Sequence, residues 1–192
     1  MESTKGRVRD EITVVDNFLT QDEFEYAKSF VLSDEQSWHW HDNISTHIDV
    51  GIRNYGFGYN LTTGTNQFRE CKTREYTQSL IEKVRDFAKC KNILRARLDM
   101  TTNVMERIRH CPHVDRFDRH LSAIFYFTDS DAETVIYNEK LIKPNDIMGE
   151  LTVNTSVRPK ENRLTLFDGQ HIHTGHSPTK YSRRVLLNIN LN

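Results

Sequence analysis

A change of hydrophobic period near residue 93 constrains the fold of this chain more than any other feature. From there Leu94, Leu98 and Met100 alternate with charged residues, the period-2 pattern of a strand with one buried face. Turn-forming residues separate the strand candidates that follow. These candidates are 120–128, 133–138, 148–153, 163–167, 170–174 and 182–190. Many short strands at close spacing predict a sandwich or barrel.

Two helices are predicted before the strands. Thr20 and Glu23 form a capping-box pattern, and apolar residues at 24, 27, 30 and 31 would share one face of the helix that follows. A second helix is predicted at about 74–90, with its apolar face carried by Tyr76, Leu80, Ile81, Val84, Phe87 and Ala88. Between them, residues 33–72 are polar and rich in glycine and aromatics, so loops and one or two short strands are expected there.

The predicted fold is mainly β with flanking helices, a double-stranded β-helix of the jelly-roll, cupin-like kind. Its 192 residues fit one domain, 1–192, with helical support at about 11–90 and the jelly-roll core at about 93–191. We expect the helices to cover one face of the double sheet. An unrelated β-sandwich is the alternative.

Composition excludes several classes of partner. The formal charge is −1 with a pI near 6.8, so the chain has no basic excess that would favour nucleic acid. No apolar run has membrane-spanning length, and no N-terminal segment has the pattern of a signal peptide, which predicts a cytoplasmic protein without membrane partners. Cys71, Cys90 and Cys111 match neither a disulfide framework nor a zinc site, so reduced thiols are expected.

His113 and Asp115 form the chain's most suggestive chemical motif. In an extended segment, residues at i and i+2 share a face, so both side chains could reach one metal ion. The 2-His-1-carboxylate triad of non-haem Fe(II) oxygenases adds one distant histidine to such a pair. His171, His173 and His176 are three candidates for it. A His-X-Asp pair alone also arises by chance in solvated loops.

An arginine pair follows the histidine cluster. Arg183 and Arg184 open the last alternating strand, and a guanidinium there could bind a carboxylate through two hydrogen bonds. A 2-oxo acid could be anchored in this way.

In their order and spacing, these motifs resemble the 2-oxoglutarate- and Fe(II)-dependent dioxygenases, specifically the prolyl 4-hydroxylase-like branch with its small phage and bacterial forms. The resemblance covers about residues 11 to 190 and leaves 33–72 unmatched. Its motifs are the opening strand and helix at 14–23, Pro-His-Val-Asp at 112–115, Leu-Ser-Ala-Ile-Phe-Tyr-Phe at 121–127, Asp-Ala-Glu-Thr at 131–134, the strand at 157–168 and His-Thr-Gly at 173–175. Ala132 and Thr128 depart from the branch's glycine and asparagine, and neither is a metal ligand.

The resemblance implies specific site residues. His113, Asp115 and His173 would bind the metal, with His173 preferred to His171 because a glycine follows it and Arg184 lies eleven residues later. Arg184 would hold the distal carboxylate of 2-oxoglutarate while Arg183 faces outward. Tyr126 would bind the same carboxylate through its hydroxyl. The histidines at 39, 41, 47, 110 and 120 are expected at the surface or in loops, and His176 beside the site or exposed.

The implied function is that of an oxidoreductase. The resemblance predicts a hydroxylase that uses Fe(II), 2-oxoglutarate as cosubstrate and O₂, with ascorbate as a further cofactor candidate, and that releases succinate and CO₂. Its primary substrate would be a small molecule or a peptide, and peptidyl proline is the branch's best-known target. The alternatives are a non-catalytic jelly-roll binding or structural module, and a cupin-type metal enzyme that does not use 2-oxoglutarate.

Overall fold

The structure is a computed structural model, and it describes residues 11–45, 55–143 and 149–192. Within these ranges the chain forms two helices and twelve strands. In chain order they are β1 (Thr13–Val15), α1 (Gln21–Val31), β2 (His39–His41), β3 (Gly56–Asn60), β4 (Thr62–Gly64), β5 (Gln67–Phe68), α2 (Lys72–Ala88), β6 (Ile93–Thr102), β7 (Leu121–Tyr126), β8 (Thr134–Lys140), β9 (Val153–Val157), β10 (Arg163–Asp168), β11 (His171–Thr174) and β12 (Arg183–Leu191).

Helix α1 starts at the predicted capping box. The Glu23 backbone N–H donates to Thr20 Oγ1 at 3.4 Å, and the Thr20 N–H donates to Glu23 Oε2 at 3.2 Å. These bonds satisfy backbone donors that a helix N-terminus leaves without intrahelical partners. The predicted apolar face is confirmed, because its four residues are the buried ones: Phe24, Ala27, Phe30 and Val31.

The capping box predicts a stability change that is easy to measure. Thr20→Ala should lower the free energy of unfolding by about 1 kcal/mol, because the N-terminal N–H of the helix loses its acceptor. Thr20→Ser, which keeps the hydroxyl, should stay within a few tenths of a kcal/mol of the native chain. Urea unfolding followed by circular dichroism measures both. Equal losses in the two variants would contradict a role for the hydroxyl.

Helix α2 packs beside α1 on the same side of the large sheet. It buries Leu80, Ile81 and Val84, and it ends at a left-handed C-cap, Lys89. Phe87 is 39% exposed and contacts Phe18 edge-on, so it lies at the margin of the predicted apolar face. Neither helix is both long and apolar enough to span a membrane in the described part of the chain.

Seven strands form the large sheet in the order β1-β10-β7-β12-β6-β3-β2. All its neighbouring strands are antiparallel. Strand β12 pairs with β6 on one side and β7 on the other, which makes it a central strand. Its side chains therefore have neighbours on both flanks.

A smaller sheet lies opposite, in the order β11-β8-β9. The segment before β7 extends it, because Arg109 and His113 bridge antiparallel to His176 and His173. The His-Val-Asp motif is thereby attached to β11. This two-sheeted arrangement confirms the predicted jelly roll.

Of the three hydrophobic clusters in the described residues, two lie on the faces of the large sheet, one on each face. Between the sheet and the helices lies the larger cluster, to which β12 contributes Val185, Leu187 and Ile189. Between the two sheets lies a smaller cluster that includes Ile124, Phe167 and Leu186. The helices thus cover one face of the large sheet, as predicted, and the polar site is confined to the other.

Two strand predictions differ from the structure. The expected strand at 148–153 is wrong: residues 149–152 are not a strand, residue 148 lies outside the described ranges, and β9 begins at Val153. Strand β9 is largely exposed and polar, so hydrophobic alternation gives it no signal. The described part of region 33–72 contains four strands instead of one or two, and β2 and β3 join the large sheet. Glycines at 56 and 58 weaken the strand propensity of β3.

Candidate active site

Three predicted metal ligands meet in the cleft between the two sheets. Potential ligand atoms of His113, Asp115 and His173 all lie within 4.8 Å of one another. The Nε2 atoms of His113 and His173 are 4.0 and 3.7 Å from the nearer carboxylate oxygen of Asp115. Paired backbone hydrogen bonds of 3.0 and 2.9 Å between His113 and His173 hold the two segments together. The backbone pairing itself thus brings distant parts of the chain to one point.

Backbone carbonyls orient both imidazoles. His113 Nδ1 lies 3.0 Å from the Cys111 carbonyl oxygen, and His173 Nδ1 lies 3.1 Å from that of His171. Since a carbonyl can only accept, each Nδ1 must carry the proton. In the neutral ring, Nε2 then carries the free lone pair, and Nε2 points toward the ligand cluster. Metal-binding histidines are commonly oriented in this way.

The electrostatics favour a cation at this point. Burial, followed by the nearby His173, lowers the pKa of His113 to about 4, so its imidazole is neutral near pH 7. Burial alone would raise the pKa of Asp115, but His173 and Arg95 hold it well below its usual value. A neutral nitrogen donor and an ionised carboxylate are thus ready to bind a metal without losing a proton.

Two asparagines of β12 hold the Asp115 carboxylate. Asn188 Nδ2 lies 3.2 Å from each carboxylate oxygen, and Asn190 Nδ2 donates to Oδ2 at 3.0 Å. The Ser122 hydroxyl donates to Oδ2 at 3.4 Å. Arg95 Nη1 lies 3.5 Å from Oδ1. Because the side chain of Asp115 is only 3% exposed, these neighbours fix its orientation in the cleft.

Arg184 occupies the same cleft without an acidic partner. It is 6% exposed, it has no carboxylate within ion-pair distance among the described residues, and its Nε has no hydrogen-bond partner there. Its Nη2 donates to Thr134 Oγ1 at 2.6 Å. Both residues line a pocket that also contains His113 and His173. A buried guanidinium needs an anion to offset its desolvation, so the pocket is suited to a carboxylate near the three ligands.

Tyr126 contacts Thr134 and Arg184 from outside the pocket lining. Its hydroxyl lies 2.7 Å from Thr134 Oγ1, and the Arg184 guanidinium lies 5.7 Å from its ring centroid. Tyr126 is fully buried and does not line the pocket, whereas Thr134 does. The geometry therefore favours an indirect contribution of Tyr126 to carboxylate binding, through Thr134 and Arg184.

Comparison with known proteins identifies the architecture. No protein-family model and no curated protein sequence matches the chain. Similar solved structures include a Trichoplax adhaerens prolyl hydroxylase in complex with a hypoxia-inducible-factor peptide fragment (TM-score 0.64, 12% identity, 95% of this chain and 83% of that chain covered). A 2OG-Fe(II) oxygenase family member from Burkholderia pseudomallei has a TM-score of 0.64 at 13% identity, with 94% and 84% coverage.

A third similar structure contains a bound cosubstrate. It is the epimerase SnoN in complex with Fe³⁺, alpha-ketoglutarate and nogalamycin RO (TM-score 0.66, 11% identity, 96% of this chain and 80% of that chain covered). This chain has the 2-oxoglutarate/Fe(II) oxygenase fold. The two-sheeted core, the ligand cluster and the buried arginine are all present in this chain.

The structure places the remaining histidines in different environments. His171 is not part of the ligand cluster, and its Nδ1 lies 2.7 Å from the Tyr137 carbonyl oxygen. His176 is buried beside Glu133, not exposed. His110 and His120, expected at the surface or in loops, lie in loops but are buried, with 4% and 2% exposure. His120 packs so closely on Gly169 that a Cβ there would lie 2.1 Å from its Nε2. His39 is exposed, His41 is half-buried, and His47 lies outside the described residues.

Several site residues had not been assigned a role from the sequence. Asn188 and Asn190 lie on the same face of β12 as Arg184, as strand alternation predicts, but alternation alone indicates no function for them. Thr134 lay in the motif at 131–134 without an assigned role. Arg97, Asp99 and Thr101 of β6 also line the pocket. The only sign of these residues in the sequence is the alternation of β6. Its polar positions predict one polar strand face, but they do not predict what that face contacts.

Removing the asparagine amides should weaken metal binding. We expect Asn188→Ala and Asn190→Ala to lower Fe(II) affinity by about 10- to 100-fold, because groups that orient a metal ligand typically contribute that much. Anaerobic titration with Fe(II) measures the affinity. Asn154→Ala, in the exposed strand β9, is the matched control and should leave it unchanged. Native affinity in both site variants would rule out this role for the amides.

His110 predicts a pH dependence of stability. Burial, together with the charge of Arg184, lowers its pKa to about 3. The unfolded chain takes up a proton at this side chain below about pH 6.5 while the folded chain does not, so stability falls as pH drops from 6.5 toward 3. At pH 5 this single group should cost about 2 kcal/mol.

The matched variant for this test is His110→Gln. The difference in unfolding free energy between pH 7.5 and pH 5.0, measured in urea on metal-free protein, should shrink by about 2 kcal/mol in the variant. An unchanged difference would show that His110 does not contribute to the acid sensitivity.

Proposed function

We propose that this protein is an Fe(II)- and 2-oxoglutarate-dependent dioxygenase that hydroxylates a C–H bond of a primary substrate and releases succinate and CO₂. The observation that carries the proposal is one pocket lined by His113, His173 and a buried Arg184 that has no acidic partner among the described residues, with the Asp115 carboxylate completing the ligand cluster beside it. Either feature alone has simpler explanations. Together they suit a metal-chelating dicarboxylate, because the cluster would hold the metal that one end chelates and the arginine would bind the carboxylate at the other end.

The residues fit both groups. Two imidazole nitrogens and one carboxylate are the donor set of a facial triad, which leaves the other metal positions free for cosubstrate and O₂. His113, Asp115 and His173 would hold Fe(II). Arg184 Nε, which has no hydrogen-bond partner in the described part of the chain, and the Thr134 hydroxyl would hold the distal carboxylate of 2-oxoglutarate. Bound Fe(II) would supply the oxidative chemistry, in which decarboxylation of 2-oxoglutarate is coupled to activation of O₂.

The protein's own side chains would bind the cosubstrate and orient the metal ligands. Arg184 and Thr134 fix one end of the cosubstrate, and the apolar side chains of Ile124 and Leu186 in the same pocket exclude water. Asn188 and Asn190 keep Asp115 from rotating out of the cluster. The backbone carbonyls behind both histidines accept from Nδ1 and so turn Nε2 toward the proposed metal position. Positioning of this kind is the main contribution of a protein to cofactor chemistry.

A peptide or a small molecule is the proposed class of primary substrate. The similar prolyl hydroxylase is bound to a peptide fragment, and the similar epimerase is bound to nogalamycin RO. Peptidyl proline is the specific target that the sequence resemblance suggests. The shared fold supports the cofactor chemistry, whereas the target depends on residues that differ between these proteins.

Anaerobic spectroscopy tests the proposal directly. Adding 2-oxoglutarate to the Fe(II)-loaded protein should produce a metal-to-ligand charge-transfer absorption, and admission of O₂ should produce succinate. Absorption without succinate would point to a binding module, and metal binding without any absorption would point to a cupin-type enzyme that uses no 2-oxo acid. Either result would overturn the proposal. His113→Ala is the negative control, since it removes a ligand.

A further inference from the structure

The Asp115 carboxylate is already surrounded by donors. Asn188 Nδ2 lies 3.2 Å from both of its oxygens, and Asn190 Nδ2 and Ser122 Oγ lie 3.0 and 3.4 Å from Oδ2. Arg95 Nη1 lies 3.5 Å from Oδ1. A carboxylate has about four lone-pair sites, so these groups can occupy all of them. A metal ion at Asp115 therefore needs one of the donors to turn away.

Ser122 is the donor that has a second acceptor at hand. Its Oγ lies 3.3 Å from His120 Nε2, slightly closer than it lies to Asp115 Oδ2. A serine hydroxyl has one proton, so Ser122 can donate to only one of the two at a time. Asn190 Nδ2, 3.4 Å from the same Oγ, can only donate and does not compete for that proton.

His120 is arranged as an acceptor. Its Nδ1 lies 2.7 Å from the Asp118 carbonyl oxygen, which can only accept, so Nδ1 carries the proton. Burial lowers the pKa of His120, so the ring is neutral at pH 7.5. The lone pair is then on Nε2, the atom beside Ser122.

Gly169 determines where this ring can lie. The Gly169 N–H donates to the His120 carbonyl at 2.9 Å, and a Cβ at position 169 would lie 2.1 Å from His120 Nε2. The φ angle of Gly169 is outside the left-handed region, so its backbone conformation does not require glycine. The close approach of the imidazole does.

We propose that His120 is a positioning residue for the metal site: it accepts the Ser122 hydroxyl when a metal ion binds Asp115, and so frees a lone pair of the carboxylate. In the metal-free protein the ionised Asp115 is the stronger acceptor, because hydrogen bonds to charged groups are stronger than those to neutral ones. A bound cation offsets that charge, which makes the neutral Nε2 the better acceptor. The inference rests on the proposed function, which supplies the metal ion.

Nitrogen NMR of the histidines can follow this change of acceptor. Protein labelled with nitrogen-15 at histidine is titrated at pH 7.5 with Zn(II), a diamagnetic substitute for Fe(II). The His120 Nε2 signal is assigned by its loss in His120→Leu. It should move upfield when Zn(II) binds, as an imidazole nitrogen does on accepting a hydrogen bond. The exposed His39 is the internal control and should not respond.

Ser122→Ala separates the hydroxyl from the charge of the metal. In this variant the His120 signal should stay close to its metal-free position when Zn(II) binds, because no hydroxyl is left to donate. A shift caused only by the nearby charge would persist.

Metal affinity gives an independent measurement. In competition with a chelator, His120→Leu should bind Zn(II) about threefold to tenfold more weakly than the native chain, which corresponds to one net hydrogen bond. His120→Gln, whose carboxamide oxygen can accept near the position of Nε2, should recover most of the loss. Gly169→Ala, which displaces the ring, should resemble His120→Leu.

A double-mutant cycle distinguishes positioning from general packing. In the Ser122→Ala background, His120→Leu should cause no further loss of affinity, whereas a merely structural histidine would cause the same loss in both backgrounds. Equal losses, an equal NMR shift in Ser122→Ala, or no shift in the native protein would each overturn the inference.

The proposed function would fail in a different way. If Zn(II) does not bind, or binds equally well to His113→Ala, the metal site itself is wrong. If His120→Leu does not fold, His120→Gln assigns the signal, and the comparison of the native protein with Ser122→Ala still decides the role of His120.

Discussion

Replacing His173 with alanine will abolish Fe(II)-dependent turnover of 2-oxoglutarate, whereas replacing His171 will leave it close to the native rate. His173 Nε2 lies in the ligand cluster, 3.7 Å from Asp115. His171 lies two residues away and is bonded to the Tyr137 carbonyl. Loss of a direct ligand should lower Fe(II) affinity by more than about 100-fold, since even groups that only support ligands contribute 10- to 100-fold.

Succinate formation and anaerobic Fe(II) titration measure both variants. The control separates ligand loss from general damage, because His171→Ala also removes a buried hydrogen bond and should cost about 1 kcal/mol of stability. If His171→Ala loses iron binding and His173→Ala retains it, the assignment of the distal ligand is wrong. Equal loss in two folded variants would leave no distinction between the two histidines.

Replacing Arg184 with methionine should raise the dissociation constant for 2-oxoglutarate by about 100-fold or more. Truncating one member of a buried, hydrogen-bonded charge pair typically costs 2–5 kcal/mol of binding. Arg183→Met should have little effect, since Arg183 lies on the half-exposed position at the start of β12. The charge-transfer absorption, titrated with 2-oxoglutarate, gives the dissociation constant for each variant.

The same substitution should not destabilise the metal-free protein. Arg184 is buried without an acidic partner in the described residues, so its desolvation opposes folding when no anion is bound. Thermal unfolding should show an equal or higher midpoint for Arg184→Met, together with the loss of any stabilisation by added 2-oxoglutarate. A clearly lower midpoint, with 2-oxoglutarate binding retained, would make Arg184 a structural residue.

Local sequence patterns predicted much of the scaffold. The capping box at Thr20 and the alternation in β12 depend on neighbouring residues, and both are present in the structure. Strand β3 was harder to predict, because Gly56 and Gly58 lower its propensity and its pairing with β6 is a long-range interaction. Strand β9 lies at an edge with polar side chains and gives no hydrophobic signal.

The site was predicted less completely from the sequence, again because its contacts join residues that are far apart in the chain. Strand parity could not separate His171 from His173, and the pairing of β11 with β8 shifts in register between them, which no local pattern reveals. Tyr126 was expected to contact the cosubstrate directly. That contact stays a prediction, but nothing in the sequence indicated that the Tyr126 hydroxyl lies within hydrogen-bond distance of Thr134, a residue on the opposite sheet. Partners across the cleft are determined by tertiary packing and are not visible in the local sequence.

Strand β12 has a consequence for how this protein could diversify. One of its faces, with Val185, Leu187 and Ile189, belongs to the core beneath the helices, and the other holds Arg184, Asn188 and Asn190. Mutations that alter reactivity and mutations that alter folding thus fall on alternating positions of a single strand. A combinatorial library confined to 184, 188 and 190 could explore new cosubstrates or metals while the hydrophobic layer that keeps the chain folded is inherited unchanged.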